Sequence, residues 1–130
     1  MFLTDVDGCF TDGTIWLDSN LQWRRSFNVL DGVGIKRLLE EGYRVGVITG
    51  GNSEDVRMRM KFLGIEHFYD GASDKTPPFE DLLKKTGLKP SEIAYVGDEI
   101  YDVPIIKRVG FSAGPPRAVS QVQKESHYVT

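Results

Sequence analysis

One hundred and thirty residues, 40% of them hydrophobic and 27% charged, suffice for one domain with its own core and are too few for two. Sixteen Lys and Arg against nineteen Asp and Glu give a formal net charge of −3, which argues against a nucleic-acid binder working by bulk positive charge. The single Cys9 permits no internal disulfide, and no apolar run approaches the ~18 residues of a membrane helix. Met1 to Asp5 lacks the basic head and apolar middle of a signal peptide. A cytoplasmic domain with neither nucleic-acid nor membrane partner is expected.

In chain order, Phe2 to Val6 forms a short apolar run that ends in acidic residues and Gly8. Ile15 to Leu17 and Leu21 to Val29 flank the polar turn Asp18-Ser19-Asn20, which predicts a projecting hairpin over about 14–29. Asp31 is the expected N-cap of a helix through Glu41, with Ile35, Leu38 and Leu39 on its apolar face and Gly42 as its stop. Tyr43 to Ile48 reads as a buried strand running into Thr49-Gly50-Gly51. Ser53 caps a second helix, whose inner face carries Val56, Met60 and Leu63 and which Gly64 closes. A strand near Ile65 to Tyr69 precedes Thr76-Pro77, N-cap plus first residue of a helix that buries Phe79, Leu82 and Leu83. Ile93 to Val96 is a further buried strand, ending at Gly97-Asp98. A helix around Val103 to Val109, a strand at Phe111 to Ala113, a helix near Arg117 to Lys124 and a strand at His127 to Val129 follow. Strands alternating with single helices predict an α/β, doubly wound, mostly parallel sheet covered on both faces, with ligands bound beyond the carboxyl ends of its strands.

Those strand ends carry the residues with chemistry. Asp5 and Asp7 stand two apart, so an extended segment points both carboxylates to one side. Like charges that close need a cation or a shared proton, and Asp98 from another strand end adds a third. Three acidic oxygen donors suit a hard divalent ion, for which Mg²⁺ is the natural candidate. Thr49 offers a hydroxyl, Gly50 an open backbone N–H and Lys75 a positive charge, which together are what a transferring phosphoryl group requires. Taken singly, each is ordinary turn, cap or surface chemistry; the ordered combination is what points to a site.

The combination resembles the haloacid dehalogenase superfamily of phosphatases. Asp5-Val6-Asp7-Gly8 with Thr11-Asp12-Gly13 is similar to its first motif, Thr49 to the second, Lys75 to the third, and Gly97-Asp98 through Asp102 to the fourth. Phe27-Asn28-Val29, Asp31-Gly32, Gly34-Ile35, Ile48-Thr49-Gly50, Arg59 with Leu63-Gly64-Ile65, Ser73-Asp74-Lys75 and His127 to Thr130 look like its small capless phosphatases of sugar acids. The resemblance implies Asp5 as nucleophile forming an aspartyl-phosphate, and Asp7 as the acid and then the base. It implies Mg²⁺ held by Asp5, the Asp7 carbonyl and Asp98, phosphoryl binding by Thr49, Gly50 and Lys75, and Asp102 orienting Lys75. Arg59 is a further candidate, as a ligand for a substrate carboxylate. The implied substrate is a small sugar-acid phosphate, with 3-deoxy-D-manno-octulosonate 8-phosphate ahead of a nonulosonate 9-phosphate. Glu99 stands where the fourth motif often has Asp, and Leu30 and Gly51 where such phosphatases often carry Arg.

Neither the segment from Asp5 to Thr49 nor that from Thr49 to Lys75 leaves room for a cap domain, so residues 1–130 read as a single capless domain. An open site must borrow its cover to exclude water, either from a macromolecular substrate or from another subunit. Trp16 and Trp23 lie on the hairpin, which is marginal alone, and either pack on their own domain or are buried against a partner. The resemblance implies a homotetramer built through this hairpin, in which a neighbouring chain helps close each site. It also implies a Gly-rich tail beyond Thr130. Cys9 is expected to pack, His67 and His127 show no metal-ligand spacing, and Arg24 and Arg25 at the hairpin's end have no assigned role. Two other classes remain: an oligomerisation or regulatory module like those attached to sialic acid cytidylyltransferases, and a phosphorelay receiver. Asp5, Asp7, Thr49, Lys75 and Asp98, all intact, argue against the first. A nucleophile within the Asp5-Val6-Asp7 segment argues against the second.

Overall fold

The computed structural model describes all 130 residues, Met1–Thr130. Its central sheet contains β1 (Phe2–Thr4), β4 (Val45–Ile48), β5 (His67–Tyr69), β6 (Ala94–Val96), β7 (Phe111–Gly114) and β8 (Tyr128–Val129). Their spatial order is β5-β4-β1-β6-β7-β8, and every neighbouring pair is parallel. The chain therefore winds from β1 outward to β5, then returns across β1 to β6 and winds outward the other way. That reversal beside β1 opens a crevice at the carboxyl ends of β1, β4 and β6. β2 (Trp16–Leu17) and β3 (Trp23–Arg24) pair antiparallel as a separate hairpin.

Helices α1 (Val29–Glu40) and α2 (Glu54–Leu63) cover one face, and α3 (Thr76–Thr86), α4 (Val103–Ile106) and α5 (Ser120–Glu125) belong to the other. Strand alternation feeds both layers. Val45 and Val47 pack with Ile35, Val56, Met60 and Leu63, whereas Leu3, Ile48 and Tyr95 pack with Phe79, Leu82, Ile105 and Val122. Each such aliphatic side chain, once fully buried, contributes about 1.5–3 kcal/mol. No helix is long and apolar enough to cross a membrane.

The expected α/β, mostly parallel sheet is present, and the departures from expectation are local. α1 starts earlier than Asp31, because the Asn28 side chain accepts the Leu30 N–H at 2.8 Å; Asp31 sits in the first turn, where its charge favours the positive helix end. Lys75, not Thr76, occupies the N-cap of α3, and Asp74 accepts the Thr76 N–H at 2.9 Å. Strand pairing in the hairpin is confined to Trp16–Leu17 and Trp23–Arg24, since Asp18 accepts from both Asn20 and Gln22 N–H and closes a local loop. α4 is a single turn after a 3-10 turn at Ile100–Asp102, shorter than the apolar run to Val109 suggested. Trp16 and Trp23 remain about half exposed, at 44% and 50%, so packing on their own chain does not bury them.

Candidate active site

β1 stops at Thr4 because the backbone turns there: the Asp5 N–H reaches the Val96 carbonyl of β6 at 2.9 Å, and Cys9, Phe10 and Thr11 N–H groups converge on the Val6 carbonyl. This turn holds Asp5 buried at the sheet's end. Gly8 completes it with φ +83°, and a methyl there would lie 1.9 Å from an Asp98 oxygen. Only glycine lets the Asp5 turn and the Asp98 turn approach this closely.

Asp5, Asp7, Thr49, Gly50, Lys75 and Asp98 line one cavity of about 440 Å³ at the switch point. Of the expected site residues, the structure brings these six together. A second cavity of about 420 Å³, lined by Phe2, Phe10, Leu30, Ile35 and Leu38 among others, offers no cation and is mostly apolar. The first holds Lys75 beside carboxylates, the Thr49 hydroxyl and the Gly50 backbone.

Within it, Lys75 Nζ lies 3.0 Å from Asp5 Oδ2 and 2.5 Å from Asp102 Oδ1. Burial pulls the Lys75 ammonium down, but the Asp5 and Asp102 carboxylates outweigh it and leave its pKa raised. Asp102 lies behind the cavity, fully buried, and its oxygens accept from Lys75, the Tyr95 hydroxyl and the Asp98 and Glu99 backbone N–H groups. It therefore orients Lys75 and ties the turn after β6 to it. Thr49 is buried, with its Oγ accepting the Gly51 N–H at 3.2 Å.

Asp5, Asp98 and Asp102 place one carboxylate oxygen each within 4.8 Å of one another. Asp102 is committed to its four donors, and Asp5 takes the Val6 N–H at 2.7 Å on Oδ1 and Lys75 on Oδ2, which leaves Asp98 as the least engaged of the three. Asp98 Oδ1 is buried with no hydrogen-bond partner at all. An orphaned carboxylate oxygen beside a second carboxylate is what a hard divalent cation would satisfy. The same crowding appears in the acidities. Burial, then Asp5 and Asp102, push Asp98 up to about 7; burial raises Asp5 to about 6 despite Lys75. Cys9 is inert by the same logic, because burial and the neighbouring carboxylates push its thiol well up.

Asp7 stands apart from that cluster, and the residue that holds it was not singled out by its sequence. Arg25 Nε donates to Asp7 Oδ1 at 2.5 Å and Nη2 to Oδ2 at 2.9 Å. Nothing local marks Arg25, since the contact exists only because the hairpin folds back over the turn after β1. Arg24 instead pairs with Asp18 inside the hairpin at 2.7 Å. Arg59 is not among the residues that line this cavity. Its Nη2 donates to the Asn28 carbonyl at 3.0 Å and its guanidinium lies 5.7 Å from the Phe27 ring centroid. The second turn of α2 faces α1, so this arginine fastens the start of α1.

A profile of haloacid dehalogenase-like hydrolases matches residues 29–110. The 3-deoxy-D-manno-octulosonate 8-phosphate phosphatase of Escherichia coli K12 is 38% identical over 130 residues, all of this chain and 69% of that protein. The chain belongs to the haloacid dehalogenase-like hydrolases. Solved members superpose closely. The 3-deoxy-D-manno-octulosonate 8-phosphate phosphatase of Yersinia pestis gives a TM-score of 0.95 at 36% identity, over 99% of this chain and 70% of that one. The enzyme of that name from Moraxella catarrhalis, solved with magnesium ion, phosphate ion and KDO, also gives 0.95 at 36%, over 99% and 74%. In haloacid dehalogenase-like terms, the four motifs converge here at one sheet end, with the hairpin and α1 between the first two and α2 and β5 between the second and third.

Proposed function

We propose that this chain hydrolyses a small sugar-acid phosphate monoester through an aspartyl-phosphate on Asp5, with 3-deoxy-D-manno-octulosonate 8-phosphate as the substrate. The observation that carries the reading is Asp5 Oδ2 held 3.0 Å from Lys75 Nζ, in the cavity that also holds the unpartnered Asp98 Oδ1. Lys75 keeps the Asp5 carboxylate placed and offers its charge to the phosphoryl oxygens, alongside the Thr49 hydroxyl and Gly50 N–H. Asp5 attacks phosphorus as Asp7 gives a proton to the departing sugar oxygen; Asp7 then takes one from the water that hydrolyses the acyl-phosphate. Asp5, Asp98 and the Asp7 backbone carbonyl would hold Mg²⁺, which would neutralise charge between carboxylates and phosphoryl group. The relatives' names support the substrate, and the Moraxella complex supports the ion.

The same reading takes residues 1–130 as one capless catalytic domain of a cytoplasmic enzyme, assembled as a homotetramer through the hairpin so that a neighbour covers each site. Half-exposed Trp16 and Trp23 support that assembly. Phosphate release should be measured from a panel of octulosonate 8-phosphate, nonulosonate 9-phosphate and simple sugar phosphates, with and without Mg²⁺. We expect Mg²⁺-dependent turnover that favours the octulosonate ester and falls by about 10³-fold or more in Asp5→Asn. Absence of metal-dependent turnover on every ester would overturn the enzyme reading in favour of a non-catalytic module.

A further inference from the structure

Arg25 is held more firmly than an arginine on a short projecting hairpin has reason to be. Its side chain is 6% exposed, although the Asp7 carboxylate it grips is 37% exposed. Two of its nitrogens take the two Asp7 oxygens, at 2.5 and 2.9 Å. The third, Nη1, donates to Ser53 Oγ at 2.8 Å and lies 3.5 Å from Asp55 Oδ1, while Ser53 Oγ donates to that same Asp55 oxygen at 2.6 Å. The planar guanidinium is thus fixed from the start of α2, and it in turn fixes the plane of the Asp7 carboxylate. Gly51 leaves the space this needs: a methyl there would lie 3.1 Å from Arg25 Nη2 and 3.5 Å from Asp7 Oδ2.

We propose that Arg25 is a positioning residue for the reaction: it aims Asp7 at the leaving-group oxygen and links the hairpin and the start of α2 to the chemistry. Arg25 does not line the cavity, so it acts through Asp7 and not on the phosphoryl group. The inference rests on the proposed role of Asp7 as proton donor. The fork uses one lone pair on each Asp7 oxygen, so the proton that Asp7 gives is carried on a second lone pair of a carboxyl group whose plane Arg25 has fixed, and misaiming that group by a fraction of an ångström weakens proton transfer without touching phosphoryl binding.

The leaving group separates this role from others. An alkyl alcohol must be protonated as it departs, whereas p-nitrophenolate departs without help. The measurement is kcat/KM with Mg²⁺ for the sugar-acid phosphate and for p-nitrophenyl phosphate, in the wild type, Asp7→Asn, Arg25→Ala, Arg25→Lys and Ser53→Ala. We expect Arg25→Ala to lose about 10²-fold on the alkyl ester, with less than about threefold lost on the aryl ester and KM within about threefold. Arg25→Lys, which can make one contact but not the fork, should recover part of that ratio, and Ser53→Ala should show a smaller loss of the same kind. The ratio of the two esters cancels any unfolded fraction, so Arg25→Lys and Ser53→Ala carry the test even where Arg25→Ala folds poorly. Equal losses on both esters, a rise in KM at unchanged kcat, or no loss would overturn the positioning role while Asp7→Asn still shows the alkyl-selective defect. If Asp7→Asn itself spares the alkyl ester, the donor role fails, and the positioning role with it.

Discussion

Lys75 shows how one residue's meaning depends on its burial. Read along the chain, it is a lysine at the start of a helix; in the fold it is 4% exposed between two carboxylates. The pairing is tight because Asp102, with no exposure at all, faces four donors with two oxygens. Replacing it by Asn would set an amide NH₂ against one or more of those donors and remove half of the charge facing Lys75. Breaking a buried pair of this kind costs about 3–5 kcal/mol. Asp102→Asn should therefore lower unfolding free energy by about 3 kcal/mol in urea melts, and activity should drop with the loosened Lys75. An unchanged midpoint would mean that the network carries no stability.

At the scale of the element, the hairpin is the part of the molecule that cannot stand alone. Only two residues on each strand pair, and Ile15, Trp16, Leu17, Leu21 and Trp23 all remain exposed. Isolated two-stranded ribbons are marginal in water, and so large an apolar exposure marks a surface meant for contact. Inward, Arg25 joins it to Asp7 and α2; outward, nothing in the chain covers it. On the proposed homotetramer, the paired substitution Trp16→Ser with Trp23→Ser should yield a folded species of lower mass than the wild type in sedimentation equilibrium. A monomeric wild type at micromolar concentration would sink the assembly. The α1 boundary teaches a smaller lesson: Asn28 and Asp31 are both good cap residues, and only the folded geometry chose Asn28.

For the whole molecule, the raised pKa values of Asp5 and Asp98 tie folding to pH. A carboxyl whose folded pKa exceeds its unfolded value holds its proton more tightly when folded, so it favours the fold at low pH and that gain is lost as pH rises. Here the loss runs from about 4 to about 7, because Asp5 rises to about 6 and Asp98 to about 7. Above that window both are ionised and repel, and a divalent cation restores the balance by binding the ionised pair. Mg²⁺ should therefore raise Tm little at pH 5 and clearly more at pH 8 in thermal-shift measurements. A pH-independent increment would show that the ion does not bind these carboxylates.

The alternation of apolar runs with Gly, Asn and Pro punctuation was enough to read the sheet, its helices, the strand ends that carry Asp5, Thr49 and Asp98 and the helix start that carries Lys75, because period and turn chemistry are local properties. The contacts of Arg25 and Arg59 were not legible. Arg59, whose neighbourhood resembles a substrate-binding segment, fastens Asn28; Arg25, which has no local mark, grips Asp7. The resemblance implied the contact of Asp102 with Lys75, but the unpartnered Asp98 oxygen and the three further donors on Asp102 were invisible along the chain, since burial and partner counts exist only after distant segments meet. The sequence by itself determined which residues with acid and hydroxyl chemistry stand at the ends of strands, and which ammonium opens the helix after β5. Only the tertiary structure decided which of them touch, because a bidentate ion pair needs positions within ångströms, and a separation of eighteen residues along the chain does not specify that distance until the hairpin closes over the first turn.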